Sequence, residues 1–495
     1  MVKSVKGGKI ESAIFIFIFI LLLVFLNYQS ILFLQPRSFH VIRQTDSLSF
    51  INYYLKTGLN FFDIGNLNLY NGSGKTACEF PIFYYLVALL TLSGIKSYLL
   101  LKFLYVSIFL GTSYKIFLFL RERYNLIDSM SLTFLLFSST IIIYYTLNYI
   151  PNYPALCFTL CGLIYFIDFL ENNKIKLLIT ALFFFLMASL LKITFAIYPI
   201  GCFSFLLISY FKEEKIIYKV LYYFIGIFLI LLAWNLFVIY YNQLYNADYY
   251  LTSTKPLWDA TEYEKNEVLS FILNYWLYKY YYHSTIHMFF ILTILSFFFV
   301  RKLDKKLTLL SIIFFLGVIS YFILFFKNFR DHDYYFLEFV PFLFIVFINS
   351  YQSISSVINS KLKMILSCTI LVISVLSINY GRLNLERRYE KPFEQVSRLA
   401  YELDGIEYKI DSMQISKSAK IFAIPDKSMN ISLYYTNRFG YTLEDTTNYN
   451  LLKYYLKSDY ILITDSGYIS TLKSKFNLNK SILSYRGSSL YKVQH

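Results

Sequence analysis

Eleven apolar runs, each of about 15–23 residues, follow one another through the chain at about 14–34, 98–120, 129–147, 154–170, 177–191, 193–211, 219–241, 285–300, 307–326, 334–349 and 364–380. A helix needs about 20 apolar residues to cross the hydrocarbon core of a bilayer. Inside that core every backbone N–H and C=O must be satisfied within the protein, which leaves helical bundles and closed barrels. Barrel strands alternate polar and apolar residues over about ten positions; these runs are longer and do not alternate. The pattern predicts an all-α polytopic membrane bundle of about eleven transmembrane helices. Composition agrees: 57% of the 495 residues are hydrophobic and 16% charged, against about 45–50% and 25% in soluble proteins. A disordered chain and a disulfide-stapled miniprotein are excluded on the same ground.

Charge sets the expected orientation. The N-terminus carries Lys3, Lys6 and Lys9 ahead of the first run, and no small-residue cleavage site follows, so the first run reads as a retained helix. With the N-terminus inside, the inner loops are Arg121–Asp128, Glu171–Lys176, Lys212–Lys219, Arg301–Lys306 and Lys361–Lys363. With the N-terminal tail they hold about 16 Lys and Arg in about 50 residues, against about 11 in about 120 residues outside. That asymmetry is the positive-inside bias. The net charge of +15 is thus a topology signal rather than a nucleic-acid footprint, since no basic block with interleaved aromatics occurs. Residues 1–380 form the expected membrane domain. Its first outside loop, about 36–97, ends in an apolar stretch at 82–94, too short to span and read as lying in the interface. An odd number of spans puts residues 381–495 outside as a small α/β domain. Strands are expected at Ala419–Pro425 and Asp459–Thr464, and helices at 389–404 and 448–457. Cys78, Cys157, Cys161, Cys202 and Cys368 form no disulfide framework. Cys157 and Cys161 share a helix face, as packing residues or as half of a metal site.

No Walker loop, dinucleotide fingerprint, zinc-protease motif or nucleophile elbow is present. The informative feature is where uncommon polar residues fall. Arg43, Asp46, Glu79, Asn152, Lys192, Asp259, Arg330, Asp331, His332 and Asp333 all lie at or just beyond the outer face on this topology. Asp46 opens an amphipathic helix that stops near Gly58, so it reads as a helix N-cap, as a catalytic carboxylate held ionised by the helix end, or as both. Glu79, in Cys78-Glu79-Phe80-Pro81, is a helix-start acid or a functional carboxylate at the membrane surface. Lys192 interrupts an apolar stretch, where a cation is costly and a functional candidate, or else snorkels to headgroups. Lys102 and Lys115 read as snorkelling residues. Arg330 and His332 have the chemistry to bind phosphate. The Asp331-His332-Asp333 spacing also allows a metal, although only one histidine is local. Glu338 is expected to face the bundle interior.

Taken in order, these residues resemble bacterial membrane glycosyltransferases of the GT-C superfamily. The similarity is to the family 39 type, related to protein mannosyltransferases and to the aminoarabinose transferase of lipid A. Arg43-Gln44-Thr45-Asp46, Gly58 and Glu79-Phe80-Pro81-Ile82-Phe83-Tyr84-Tyr85 are similar to that family's R-Q-x-D, G and E-F-P-x-x-x-Y arrangement. Leu191-Lys192, Ala233-Trp234-Asn235 and His332-Asp333-Tyr334-Tyr335 add weaker matches, and the resemblance covers about residues 10–350. Pro151-Asn152 departs from it, because many relatives carry an acid after that proline. The resemblance implies a GT-C-like fold and a sugar donor built on a polyprenyl phosphate or diphosphate. Asp46 would be the general base, and Glu79 would orient the acceptor or the base. Lys192, Arg330, His332 and Arg43 would meet the donor phosphate, with Asn152, Asp333, Tyr334 and Tyr335 positioning the acceptor. It implies no required cofactor or metal, an envelope glycan, lipid or protein as acceptor, and a place in the inner (cytoplasmic) membrane.

Two other classes stay open. A lipid-linked glycan flippase would line a central path with ionisable residues near the bilayer midplane. A surface-polysaccharide polymerase or ligase would tend to place catalytic arginines in a late, large outside loop, and the loop at 242–284 has none.

Overall fold

The computed structural model describes residues 8–210, 214–249, 254–390 and 395–494. Lys3, Lys6, Lys212 and the stretch 391–394 within the expected helix at 389–404 lie outside the described residues. The chain opens with α1 (Lys9–Phe25) and α2 (Tyr28–Leu32), separated where Asn27 turns left-handed. The first loop carries α3 (Val41–Thr57) and α4 (Ile82–Thr91). Then come α5 (Ser97–Arg121), α6 (Leu126–Phe137), α7 (Thr140–Thr146), α8 (Asn152–Asn172), α9 (Ile175–Leu191), α10 (Ile197–Tyr210) and α11 (Glu214–Leu244). The second large loop holds α12 (Glu262–Phe271) and α13 (Leu277–Tyr280). After it run α14 (His283–Phe298), α15 (Lys305–Leu324), α16 (Val340–Val357) and α17 (Ser360–Tyr389).

Every one of the eleven apolar runs falls on helix. Six helices are long and apolar enough to cross a membrane alone, and up to eight if α6–α7 and the α12–α13 plus α14 pair each count as one bent span. Those pairs bend by 78° and 98°. The helices at 175–191 and 193–209 are shorter apolar ones, near the lower limit for a span, and α1 has 17 residues. The chain is a multi-pass membrane protein. Its outward helix faces remain apolar, as lipid requires: Leu221–Leu244 has the highest exposed fraction of the six spans.

Two local expectations change. The helix expected to begin at Asp46 begins at Val41, where the left-handed His40 turns the chain into the helix and Val41 is buried. Asp46 therefore sits in the second turn and caps nothing. The stop at Gly58 is as expected, with φ +105°, a conformation that favours glycine. Lys102 does not snorkel: it is buried, and its Nζ donates to the carbonyls of Ile31 and Leu34 at 2.8 and 2.6 Å. It thereby satisfies the open C-terminal end of α2.

The tail is an α/β unit, with α18 (Gln395–Leu403), α19 (Ile406–Ser412), α20 (Ile431–Thr436), α21 (Leu451–Leu456) and α22 (Ile469–Phe476) against one sheet. Its strands are β1 (Ile421–Ile424), β2 (Gly440–Thr442), β3 (Tyr460–Ile463), β4 (Leu483–Tyr485) and β5 (Ser488–Lys492), in the order β2-β1-β3-β5-β4. β1 pairs parallel with β2 and β3, and β5 runs antiparallel between β3 and β4. Both expected strands and both expected helices are present. The tail also locks onto the first loop. Leu69 N–H donates to the Gly440 carbonyl at 2.8 Å and Gly440 N–H to that of Leu67 at 3.1 Å, so 67–69 extends the sheet beyond β2. Arg37 pairs with Asp404 at 2.6 Å, and Ser397 Oγ donates to the Ser38 carbonyl at 2.9 Å.

Candidate active site

The first loop supplies the first charged pair. Arg43 and Glu79 lie thirty-six residues apart in sequence, yet one guanidinium nitrogen reaches both carboxylate oxygens at 2.9 and 2.8 Å. Tyr84, one turn into α4, donates to Glu79 Oε1 at 2.5 Å and meets Ser47 Oγ at 3.1 Å. Burial alone would raise the Glu79 carboxyl. The Arg43 guanidinium, aided by donors on Cys78 and Tyr84, outweighs it and holds the group at about 2. Glu79 is ionised at neutral pH and committed to Arg43. Phe80, the next residue, donates its backbone N–H to the Leu190 carbonyl at 3.0 Å, and its ring meets Trp234 edge-on at 4.9 Å. Three of the separated sequence matches therefore touch: the first-loop motif, the end of α9 and the tryptophan of α11.

Lys192 follows α9 directly, where the backbone leaves the helix in an extended conformation. Its Nζ lies 5.5 Å from the Tyr335 ring centre and makes no ion pair within 4 Å among the described residues. It does interact electrostatically with Glu338. Glu338 is fully buried, as expected. Its Oε1 accepts from Asn152 Nδ2 at 3.1 Å and Thr194 Oγ1 at 2.7 Å, while Oε2 has no hydrogen-bond partner among the described residues. The carboxylate missing at position 152 thus stands beside Asn152, supplied by a later helix.

Asp333 is the centre of a second cluster. Fully buried, it accepts from Tyr145 at 2.5 Å, from Arg388 at 2.5 Å, and meets His40 Nε2 at 3.2 Å. Arg388 lies between the Phe39 and Tyr144 rings at 4.9 and 4.5 Å, and its second terminal nitrogen is buried without a partner. His332 stacks on Tyr334 and Tyr335 at 5.4 and 5.7 Å and meets His40 edge-on at 5.5 Å. Burial, with His40 acting in the same direction, lowers its pKa to about 4. His332 is therefore a neutral hydrogen-bonding ring at pH 7, not the cation expected from sequence. Tyr334 links the two clusters, within electrostatic range of Arg43, Glu338 and Asp333. Arg330 is turned to other use: it pairs with Glu267 at 2.7 Å, beside a Lys327–Glu264 pair at 2.9 Å, and both tie the loop to α12.

Asp46 is 2% exposed, one turn along α3 from Arg43 and in electrostatic contact with it. Its Oδ1 accepts from Asn430 Nδ2 of the tail at 2.8 Å. Among the described residues no group of three or more His, Cys, Asp or Glu is placed to hold a metal ion.

Below the Asp333 cluster an apolar groove of about 220 Å³ runs between α6, α14 and α16, lined by Leu132, Leu136, Phe289, Phe336 and Phe347. Tyr280, one of its lining residues, stacks on Phe336 at 4.1 Å and lies within electrostatic range of Asp333 and Arg388.

Sequence reading missed His40, Tyr145, Arg388 and Asn430. His40 stands three residues before Arg43, and Tyr84 lies inside the Glu79–Tyr85 match. Arg388 was hidden in the charged run Glu386-Arg387-Arg388, which reads as an ordinary helix end.

No family model and no curated protein matches the chain. Solved structures do match its fold. One is that of ArnT from Cupriavidus metallidurans in the apo state, at TM-score 0.62 and 9% identity, covering 95% of this chain and 97% of that one. Another is the same protein bound to undecaprenyl phosphate, at TM-score 0.62 and 10% identity with the same coverage. The chain shares, nearly end to end, the fold of these two structures.

Proposed function

We propose that this protein is a glycosyltransferase of the outer face of the inner membrane, moving a sugar from a polyprenyl-phosphate donor to an acceptor hydroxyl. The observation that carries the reading is the gathering of Asp46, Arg43–Glu79, Lys192 and Asp333–Arg388 at one end of a bundle whose apolar groove is lined by Tyr280, within electrostatic range of that last pair. The likeness to a protein seen with undecaprenyl phosphate supports it. A flippase would need such groups along its midplane instead.

In the proposed reaction the acceptor oxygen attacks the anomeric carbon as the carbon–oxygen bond to the phosphate breaks. The bonding pair leaves with the polyprenyl phosphate, and the acceptor proton passes to Asp46, giving inversion. An ordinary carboxylate suffices when proton transfer is late. Lys192 meets the phosphate charge that develops, with Arg43 held in place by Glu79 and His332 offering a neutral donor. Tyr334 and Tyr335 wall the sugar site, and Asn152 and Asp333 hold its polar floor. The groove takes the first isoprene units. The N-terminus lies inside and residues 381–495 outside.

Deleting the gene and profiling envelope glycolipids and glycoproteins by mass spectrometry tests the reading. One sugar mass should vanish, return with wild type, and return at a rate lower by about 10²–10⁴ with Asp46→Asn. Full restoration by Asp46→Asn, at equal membrane abundance, overturns the assignment of the base. An unchanged envelope overturns the reaction.

A further inference from the structure

Among the described residues the tail reaches the candidate site through a hydrogen bond from Asn430 to Asp46, and the turn that carries Asn430 is itself held by further bonds. Asn430 is fully buried, 384 residues from Asp46 in sequence, and its Nδ2 lies 2.8 Å from Asp46 Oδ1. The amide must present its N–H₂ end to a carboxylate, because the reverse orientation sets two acceptors against each other. Its own Oδ1 is buried and has no hydrogen-bond partner among the described residues.

The turn carrying Asn430 is locked on three sides. Asp426 takes the Ser428 N–H and Oγ–H on one oxygen, at 2.8 and 2.6 Å, and the Ser432 N–H on the other at 3.0 Å. Thr442 Oγ1, from β2, donates to the Ser428 carbonyl at 2.7 Å. Asn68 of the first loop donates to the Met429 carbonyl at 2.8 Å and to Thr442 Oγ1 at 3.0 Å. The strand pairing at Leu67–Leu69 and Gly440 then fixes the tail to the loop that also carries Arg43 and Glu79.

From this geometry we infer that Asn430 is a positioning residue of the reaction, and that the outer domain completes the active site rather than decorating it. This inference rests on Asp46 being the base, as proposed above. The Asn430 N–H₂ holds the Asp46 carboxylate in one rotamer and favours its charged form. Arg43 on α3 and Tyr249 beyond α11 also face Asp46, and Tyr249 in turn faces Asp426.

The test uses membranes of the deletion strain carrying the full chain, which supply the native donor and acceptor, with initial rates of product formation followed by mass spectrometry between about pH 4 and 8. Asn430→Ala should lower the rate about ten- to a hundredfold and move the acid limb of the rate profile up by about one pH unit, since the charged form of the base loses a donor. The nearly isosteric Asn430→Asp keeps the shape and replaces the donor by a second carboxylate, so its acid limb should move further. Combined with Asp46→Asn, neither variant should lower the residual rate again. A merely structural Asn430 predicts loss of protein or of rate with the wild-type pH profile, and that result overturns the inference. Because the wild type and Asp46→Asn run beside the variants, a failed base assignment shows itself separately, as an Asp46→Asn rate equal to wild type.

Discussion

Replacing Glu79 by Gln removes one charge and leaves Arg43 in a pocket shaped for a pair. A carboxyl held at about 2 rather than 4.5 has its charged form favoured by about 3 kcal/mol, most of it from Arg43 once the opposing cost of burial is met. The Glu79 side chain is 8% exposed and that of Arg43 24%, so solvent screens little of this. Because the folded pKa is lowered, the stabilisation is complete above about pH 4.5 and is lost as pH falls from there through 2. Glu79→Gln alone at pH 7.5 should therefore cost about 3 kcal/mol, Arg43→Gln a similar amount, and the double variant well under the sum, because an uncompensated buried charge is worse than none. The assay is denaturant unfolding of the detergent-solubilised chain, followed by tryptophan fluorescence. Trp234, which meets Phe80 beside Glu79, reports on the site directly. The double-mutant coupling should be about 3 kcal/mol at pH 7.5 and should shrink towards pH 3. Coupling below about 1 kcal/mol, or coupling that does not change with pH, would refute the claim that this pair organises the first loop.

Other consequences are more quickly stated. Lys192→Ala should raise the concentration of polyprenyl donor needed for half-maximal rate by about 10–100-fold, with Lys192→Arg much closer to wild type; equal donor dependence in all three would remove Lys192 from the phosphate site. Asp333→Asn should lower thermal stability in detergent by more than Asp333→Asn combined with Arg388→Met, since the single change strands a buried guanidinium. Gly440→Ala should break the sheet edge, because a Cβ there would lie 1.7 Å from the Ile421 carbonyl oxygen; limited proteolysis should then cut within the first loop or the tail. The His332 pKa is lowered from 6.5 to about 4, so its burial costs stability as pH falls from 6.5 through 4. His332→Asn should narrow the gap between unfolding midpoints at pH 7.5 and pH 5.

The parts of this molecule that could be read from sequence are those where the bilayer makes the wrong residue expensive. Apolar runs mark the helices, and the uncommon polar residues that interrupt or flank them mark Asp46, Glu79, Lys192 and Asp333 as candidates. What could not be read was partnership. Arg43 and Glu79 were both singled out, but their bidentate pairing depends on α3 and α4 packing side by side. Arg388 looked like one of several basic residues ending a long helix, and only the return of α17 to the outer end brings it to Asp333. The start of α3 was misplaced by five residues because His40 adopts a left-handed turn for which the sequence carries no glycine signal. Lys102 was misread because the open carbonyls that bind it belong to α2, a helix hidden inside what read as one continuous span.

These misses share a cause that bears on function. Apart from Lys102, whose partners lie at the end of α2, they involve the first loop, the end of the last span or the tail, three regions far apart in sequence and the least constrained by hydrophobic pattern. A membrane span can be placed by its own residues, since lipid is the same on every side. An outer loop cannot, because its buried polar groups must be satisfied by whatever segment arrives above them. In this chain the arriving segments are the end of α17, which brings Arg388 to Asp333, and the β1–α20 turn, which brings Asn430 to Asp46. Both bring a nitrogen donor to an acid that sequence reading had already singled out. An acid in a low-dielectric site needs such a donor to stay charged, and the packing of the tail and of the end of α17 on the first loop supplies it. It follows that truncation after the last span should cost more than the tail's own stability: the first loop should lose order with it, and the charged cluster should be left without its roof.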